Sequence, residues 1–154
     1  MAKFKYRMQN VLDIKQKLEE AAKMEFAQAN MQVMEEERKL SLLEGRKRAY
    51  EAEGKQLRKQ QLRVPEIRNN LQAVSVLDGM VKEQIREVEK AKQIQEKKRL
   101  ELQNAMQERK TQEKLYENAF VEFIQEENAR EGREVDELVS YTYGKRGREE
   151  EKKQ

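Results

Sequence analysis

The clearest pattern along the chain is an apolar stripe whose members are separated alternately by four and three residues. Between residues 22 and 64, nine of the thirteen positions at this spacing are apolar, where random placement at an apolar content of 36% would give about five. Such spacing is typical of an amphipathic α-helix, and apolar residues from Phe4 onward extend it toward the N terminus. We therefore predict one helix over about residues 4–61. Its stripe comprises Ala22, Phe26, Ala29, Val33, Glu36, Leu40, Leu43, Lys47, Tyr50, Gly54, Leu57, Gln61 and Val64.

The single proline, Pro65, marks the predicted end of this helix. Proline disfavours the α conformation in the residue before it and is well suited to the first turn of a new helix. Glu66 follows, where a negative charge suits the positive end of the helix dipole. We predict a turn over about residues 61–65. The pair Asp78-Gly79 is a second candidate for the break, because Asp-Gly is a turn signal.

A second stripe predicts a second helix over about residues 66–140. The last ten residues, 145–154, are mostly charged and predict a flexible tail, disordered in the free protein. The second stripe comprises Ile67, Leu71, Val74, Asp78, Val81, Ile85 and Val88.

Neither helix can bury its stripe alone, so each needs a partner of similar length. A chain folded back near residue 63 pairs residues whose numbers add to about 126. That pairing brings the apolar N terminus opposite a dense apolar patch at residues 115–124. The predicted fold is all-α, a long antiparallel two-helix coiled-coil hairpin over residues 1–144, with helices of roughly 85–90 Å. A parallel homodimer of long helices is the alternative.

Composition excludes most catalytic chemistry. Charged residues make up 41% of the chain, against about 25% in an ordinary soluble domain. Cys and His are absent, so thiolate and imidazole metal sites, disulfides and Ser-His or Cys-His catalysis are excluded. No phosphate-binding loop motif is present. We expect no catalytic, cofactor-binding or metal site, and therefore no enzyme.

The N-terminal sequence and the lack of long apolar runs also bear on location. No apolar run approaches the roughly 18 residues that a membrane-spanning helix needs. The first residues lack the uninterrupted apolar core of a signal peptide. We expect a soluble, cytoplasmic protein.

Positive and negative charges alternate along the chain instead of separating. Lys and Arg number 33 and Asp and Glu number 30, which gives a net charge of +3. A nucleic-acid-binding protein more often gathers its positive charge on one face or in one tail. A nucleic-acid-binding helical hairpin is nevertheless retained as an alternative, because the isoelectric point is about 9.0 and Arg46, Lys47 and Arg48 form a basic run.

Several polar residues occupy positions where a stable coiled coil favours Leu or Ile. They could specify the register of the two helices at some cost in stability. Alternatively, they could leave a stalk soft enough to bend or twist against a partner. These residues are Glu36, Lys47, Gly54, Gln61, Asp78, Lys92, Gln95 and Arg99.

Two tyrosines near the C terminus are candidate interface anchors. Tyr141 and Tyr143, together with Val139, lie in a segment with no obvious partner in the chain. Aromatic side chains are enriched at protein interfaces. The alternative is that both tyrosines pack on Phe4 and Tyr6.

The most distinctive stretches of the sequence are FKYRMQNVLDIK near the start and VDELVSYTYG near the end. They resemble the FliJ family of bacterial flagellar type III export, and the resemblance covers residues 1 to about 144. It implies a stalk similar to that of rotary ATP synthases, which inserts into the hexameric export ATPase (FliI) and promotes assembly of its ring. It also implies contact with the cytoplasmic domain of the export gate (FlhA) and with the chaperones that escort substrates.

The resemblance further implies a role and a place in the cell. The role is in bacterial flagellum biogenesis and protein transport, and through them in chemotaxis. The place is the cytoplasm, peripherally associated with the inner face of the cell membrane at the flagellar base. Neither nucleic-acid binding nor direct membrane insertion is implied. A generic coiled-coil scaffold or tether is the alternative function.

The resemblance also suggests which residues contact each partner. Leu43 and Tyr50 match the family surface that contacts the gate, whereas Arg46 stands where the family has a further tyrosine. The paired termini, residues 4–14 and 135–143, are the candidates for the end that enters the ATPase ring. Within these termini the candidate residues are Phe4, Met8, Val11, Leu138, Tyr141 and Tyr143.

Overall fold

The computed structural model describes residues 2–61 and 63–153, which form two α-helices. Helix α1 spans Gln9–Lys59 and helix α2 spans Val64–Lys152. Contacts between the helices run in opposite chain directions, since Glu25 pairs with Lys98 whereas Lys47 pairs with Asp78. The prediction of an all-α antiparallel hairpin is therefore confirmed.

Each helix contributes to two compact units. The central unit is Leu18–Met106, and the terminal unit contains the described residues up to Lys17 and from Gln107 onward. The two units are described separately below.

The break between the helices lies where Pro65 predicts it. Helix α1 ends at Lys59, the chain bends at residues 60–61, and Pro65 is the second residue of α2. The carbonyl of Arg63 accepts a hydrogen bond from the Ile67 amide at 3.1 Å, which begins the backbone ladder of α2. Leu62, part of the predicted turn, lies outside the described residues. The alternative break at Asp78-Gly79 is wrong, because α2 continues through it and no described glycine has a positive φ.

Both outer helix boundaries differ from their predicted positions. Helix α1 begins at Gln9 instead of about residue 4, and Phe4 lies in an irregular stretch that precedes a turn at residues 7–8. Helix α2 continues through residues 145–152, where the sequence predicted a disordered tail. No proline interrupts this segment, and neither Gly144, just before it, nor Gly147, within it, has a positive φ that would end the helix.

The seam of the central unit confirms the predicted stripe of α1 between Ala29 and Glu36. On α2 it buries Val81 and Val88 as predicted but shifts other positions of the stripe by one residue. On α1, Ala29, Val33 and Glu36 are buried. On α2, the seam contains Asn70, Leu77 and Gln84, whereas the sequence predicted the next residues, Leu71, Asp78 and Ile85. Leu71 and Ile85 remain 50% and 40% exposed. Hydrophobicity alone favoured these two, but the polar residues beside them have specific partners on α1, described below.

The terminal unit contains an aromatic cluster. Phe4 packs against Tyr116, Phe120 and Phe123, with ring centroids 5.2–5.5 Å away. Tyr6 meets Tyr116 edge to face at 5.2 Å. The predicted pairing of the N terminus with the patch at residues 115–124 is therefore confirmed. Leu12 of α1, 6% exposed, is also buried in this unit.

Candidate docking surfaces

The described residues form surfaces that could contact other proteins, but no metal-binding site. Within residues 2–61 and 63–153, no three Asp, Glu, His or Cys side chains are arranged to hold a metal ion. In the same residues, no helix is both long and apolar enough to cross a membrane.

Most of the polar seam residues have a partner on the opposite helix. Lys47 Nζ donates to Asp78 Oδ1 at 2.9 Å. Gln84 Nε2 donates to both the carboxylate and the backbone carbonyl of Glu36. Because each bond forms only when the helices are aligned in one way, these contacts favour register specification over a soft stalk. Two further cross-helix pairs are Gln95 with Asn30 at 2.6 Å and Lys92 with Glu37 at 3.5 Å.

Two of the polar positions do not follow this rule. Arg99 pairs within its own helix, where Nη2 lies 2.6 Å from Glu96 Oε1. Gln61 lies in the bend after α1 and is exposed. The register is therefore specified by the other polar pairs.

These pairs shift the titration of the groups that form them. Hydrogen bonds from Lys47 and Lys82 lower the pKa of the Asp78 carboxyl, and Asp78 in turn raises the pKa of Lys47. The hydrogen bond from Gln84 is the main cause that lowers the pKa of Glu36. All these groups are held in their charged forms at neutral pH.

Asn70 and Gly54 form the tightest polar contact of the seam. Asn70 is 7% exposed, and its Nδ2 donates to the backbone carbonyl of Tyr50 at 2.8 Å. Its Oδ1 lies so close to Gly54 that a Cβ there would collide with it. The absence of a side chain at Gly54 therefore makes room for Asn70, and Asn70 fixes the backbone beneath Tyr50.

A groove of about 620 Å³ opens beside Tyr50, whose side chain is 40% exposed. A second hollow of about 390 Å³ also has Tyr50, Asn69 and Ala73 in its lining. Among the described residues Arg46 makes no ion pair, so it brings an unneutralised positive charge to the first opening. We call that first opening the Tyr50 groove; it is lined by Arg46, Tyr50, Asn69, Gln72, Ala73, Val76 and Leu77.

The α1 side of this surface was predicted and the α2 side was not. Half-buried Leu43 lies three residues before Arg46, which lies four residues before Tyr50, so all three are on the same helix face. The sequence assigned no residue of α2, but the predicted fold-back places Tyr50 opposite about residue 76, and Val76 lines the groove. That pairing was the signal that could have identified the α2 side.

The residues predicted for the ATPase-ring end do not come together. Phe4 and Val11 are half-buried, and Phe4 belongs to the aromatic cluster near Phe123. Tyr143 lies 20 residues farther along α2 than Phe123, roughly 30 Å along a helix. Met8 is 44% exposed.

The C-terminal residues of this set are exposed. Tyr141 and Tyr143 are 71% and 70% exposed and make no ring contact with a described residue. The alternative that they pack on Phe4 and Tyr6 is therefore wrong. They belong to an exposed group that extends around more than half of α2, since side chains two residues apart on a helix point to opposite faces. We call this group the C-terminal patch: Val135, Leu138, Val139, Tyr141 and Tyr143.

Comparison with known proteins identifies the family. Neither the comparison with curated proteins nor that with solved structures returned a match. The family model described as "Flagellar FliJ protein" matches residues 4–148. This match includes the aromatic cluster, the whole central unit and the C-terminal patch. The chain belongs to the FliJ family, and it is a coiled-coil protein of flagellar export, a structural component in a family of non-enzymes.

Proposed function

We propose that this protein is a stalk that binds the hexameric flagellar export ATPase (FliI), promotes assembly of its ring, and links it to the export gate and to substrate chaperones. In this proposal it works in the cytoplasm, at the inner face of the cell membrane at the flagellar base. Membership of the FliJ family supports the general role. The observation that carries the proposal is that the hairpin has two separate exposed surfaces, the Tyr50 groove and the C-terminal patch.

The Tyr50 groove is assigned to the cytoplasmic domain of the export gate (FlhA). The family resemblance puts gate contact at Leu43 and Tyr50, and both lie on the face of α1 that borders the groove. Tyrosine and arginine are the residues most often found as binding anchors, and Tyr50 and Arg46 are both available here. The hydrogen bond from Asn70 already fixes the backbone at Tyr50, so binding a partner costs little further conformational entropy there.

The C-terminal patch is assigned to the ATPase ring. Its two tyrosines project from a helix that has no neighbour within the described chain, which leaves them free to enter a partner. Met8 is a further candidate contact. Phe4 would act indirectly, because its packing holds the N-terminal segment against α2, and Val11 is half-buried.

Two double variants test both assignments, and each serves as the control for the other. Leu43→Ala/Tyr50→Ala should weaken binding to the purified gate domain about tenfold or more, because loss of two anchor side chains commonly costs that much. It should leave unchanged the rise in ATP turnover that the protein produces when titrated into the ATPase. Tyr141→Ala/Tyr143→Ala should abolish that rise and leave gate binding unchanged. Circular dichroism should show wild-type helicity for both variants.

Three results would contradict the proposal. If wild-type protein leaves ATP turnover unchanged at stoichiometric ratios and does not bind the gate domain, the generic scaffold or tether is the better description. Loss of helicity in Leu43→Ala/Tyr50→Ala would show that these residues are seam packing. Equal effects of both variants on both assays would remove the separation of the two surfaces.

A further inference from the structure

The net charge of the protein is concentrated at the turn between the two helices. Residues 55–68 contain five basic residues and one acidic residue, Glu66. Because the chain has 33 basic and 30 acidic residues, the remainder carries 28 and 29 and is almost neutral. We call these five residues the basic tip: Lys55, Arg58, Lys59, Arg63 and Arg68.

The cations of the basic tip are exposed and mostly unneutralised. All five are exposed, and Arg63 alone of them pairs with a described carboxylate, Glu66, at 3.2 Å. Elsewhere the helices neutralise many of their basic side chains at i,i+3 or i,i+4 spacing, as with Arg38 and Glu35. The tip therefore keeps an excess of positive charge that the fold does not compensate.

Helix stability explains only part of this charge. Arg58 and Lys59 lie in the last turn of α1, where cations favour the negative end of the helix dipole. Arg63, by contrast, immediately precedes α2 at its positive end, and Arg68 lies beyond the first turn, so neither benefits from the dipole. Repulsion among five like charges opposes folding, which points to an anionic partner outside the chain.

The surface of the basic tip fits a diffuse anionic partner better than a shaped one. Residues 55–68 contain no aromatic side chain on which nucleic-acid bases could stack. The Tyr50 groove includes none of these residues, and the second hollow includes Leu57 and Glu66 of them. Among the described residues of this stretch, 55–61 and 63–68, the exposed large apolar side chain is that of Val64, 62% accessible, so they offer little apolar anchor for a protein interface.

We propose that the basic tip binds the anionic phospholipid headgroups of a bilayer surface, by electrostatic attraction and without insertion. Headgroups in a fluid bilayer rearrange around a cluster of cations, so neither a groove nor a fixed array of acidic partners is required. Clusters of four or more Lys and Arg are typical of such contacts. Each cation near an anionic surface strengthens binding about fivefold at moderate salt. The proposal does not depend on the gate or ATPase assignments above.

The test is co-sedimentation of full-length protein with vesicles of phosphatidylcholine alone or mixed with phosphatidylglycerol. The tip variant is Lys55→Gln/Arg58→Gln/Lys59→Gln/Arg63→Gln. A matched control removes the same charge at four exposed positions that make no ion pair with a described residue. It is Lys17→Gln/Lys97→Gln/Lys110→Gln/Arg133→Gln.

Wild-type protein should bind the phosphatidylglycerol vesicles and not those of phosphatidylcholine alone. The tip variant, which lacks four cations, should bind about 600-fold more weakly, and the control should stay within about threefold of wild type. Raising the salt from about 0.1 M to 1 M should release the protein, since screening shortens the reach of the charges from about 10 Å to 3 Å. Leu43→Ala/Tyr50→Ala should still bind vesicles, which separates this inference from the gate assignment.

Three outcomes would overturn the proposal. Equal losses in the tip variant and the control would show an effect of net charge alone. Equal binding to neutral vesicles would exclude headgroup charge as the cause. Tighter binding to duplex DNA or to polyglutamate than to the anionic vesicles, at the same salt, would assign the tip to a nucleic acid or to an acidic protein instead.

Discussion

The central and terminal units hold the same two helices together with different side chains. The central unit combines small apolar residues such as Ala29 and Ala91 with cross-helix polar pairs such as Lys47 with Asp78. The terminal unit relies on Phe4 packed among three aromatic rings of α2. Polar pairs form in one alignment only, whereas an aromatic cluster contributes a large buried apolar area. We infer that the central unit specifies register and the terminal unit contributes binding strength between the helices.

The largest effect is expected from Phe4→Ala, which removes the ring that three others contact. Replacing a fully buried Phe by Ala costs about 3–5 kcal/mol, and because Phe4 is half-buried we expect a loss of about 2–3 kcal/mol in the free energy of unfolding. Urea denaturation followed by circular dichroism measures this loss. Met24→Ala is the control, since Met24 is 70% exposed and its removal should change stability by less than about 0.5 kcal/mol. Equal losses in both variants would show that the aromatic cluster contributes little.

The second prediction concerns the contact between Gly54 and Asn70. Gly79→Ala should stabilise the protein by about 1 kcal/mol, because a Cβ there meets open space and Ala favours the helix. Gly54→Ala should be about 2 kcal/mol less stable than Gly79→Ala, because the new Cβ displaces Asn70 and breaks its hydrogen bond to Tyr50. In an Asn70→Ala background, Gly54→Ala should become stabilising. If the deficit persists in that background, the clash lies elsewhere.

The smallest effect is expected in the pH dependence of the Glu36 and Gln84 pair. Glu36 has its pKa lowered below its ordinary value of 4.5 by the Gln84 hydrogen bond, so its stabilising contribution is complete above that value. This contribution is lost as the pH falls through the lower pKa of the folded state. Gln84→Ala should therefore be less stable than wild type at neutral pH, and the difference should shrink in acid. Urea midpoints at both pH values, with exposed Gln28→Ala as the control, measure it. A difference independent of pH would exclude the carboxylate as its origin.

The hairpin could be predicted from sequence because its signals reinforce one another. The α1 stripe, Pro65 and the match between the N terminus and residues 115–124 all indicate one fold-back point, and the structure has it there. The α2 seam could not be predicted residue by residue. Choosing the more apolar neighbour selected Leu71 and Ile85, whereas the structure buries Asn70 against Gly54 and places Gln84 against Glu36. These choices depend on partners across the hairpin, which a stripe on one helix does not contain.

The candidate surfaces were predictable to different degrees. Tyr50 followed from the family resemblance, but the α2 wall of its groove needed the register of the two helices. The excess of positive charge at residues 55–68 is visible in the sequence but was not predicted. Basic and acidic residues were compared over the whole chain, where they nearly cancel, and not over short segments. The extension of α2 to Lys152 was missed because charged, exposed residues were interpreted as a tail.

The exposed end of α2 has a consequence for how tightly a partner can hold it. From residue 128 to residue 153 every side chain is exposed, so this stretch is maintained by its own backbone hydrogen bonds. Such lone helices exchange with unwound conformers. For a partner that binds only the helical form, the apparent dissociation constant is the intrinsic one divided by the fraction of time that this form is present. The apparent affinity of a partner for this end is lowered accordingly. The C-terminal patch is therefore better suited to a weak, reversible complex than to a permanent one.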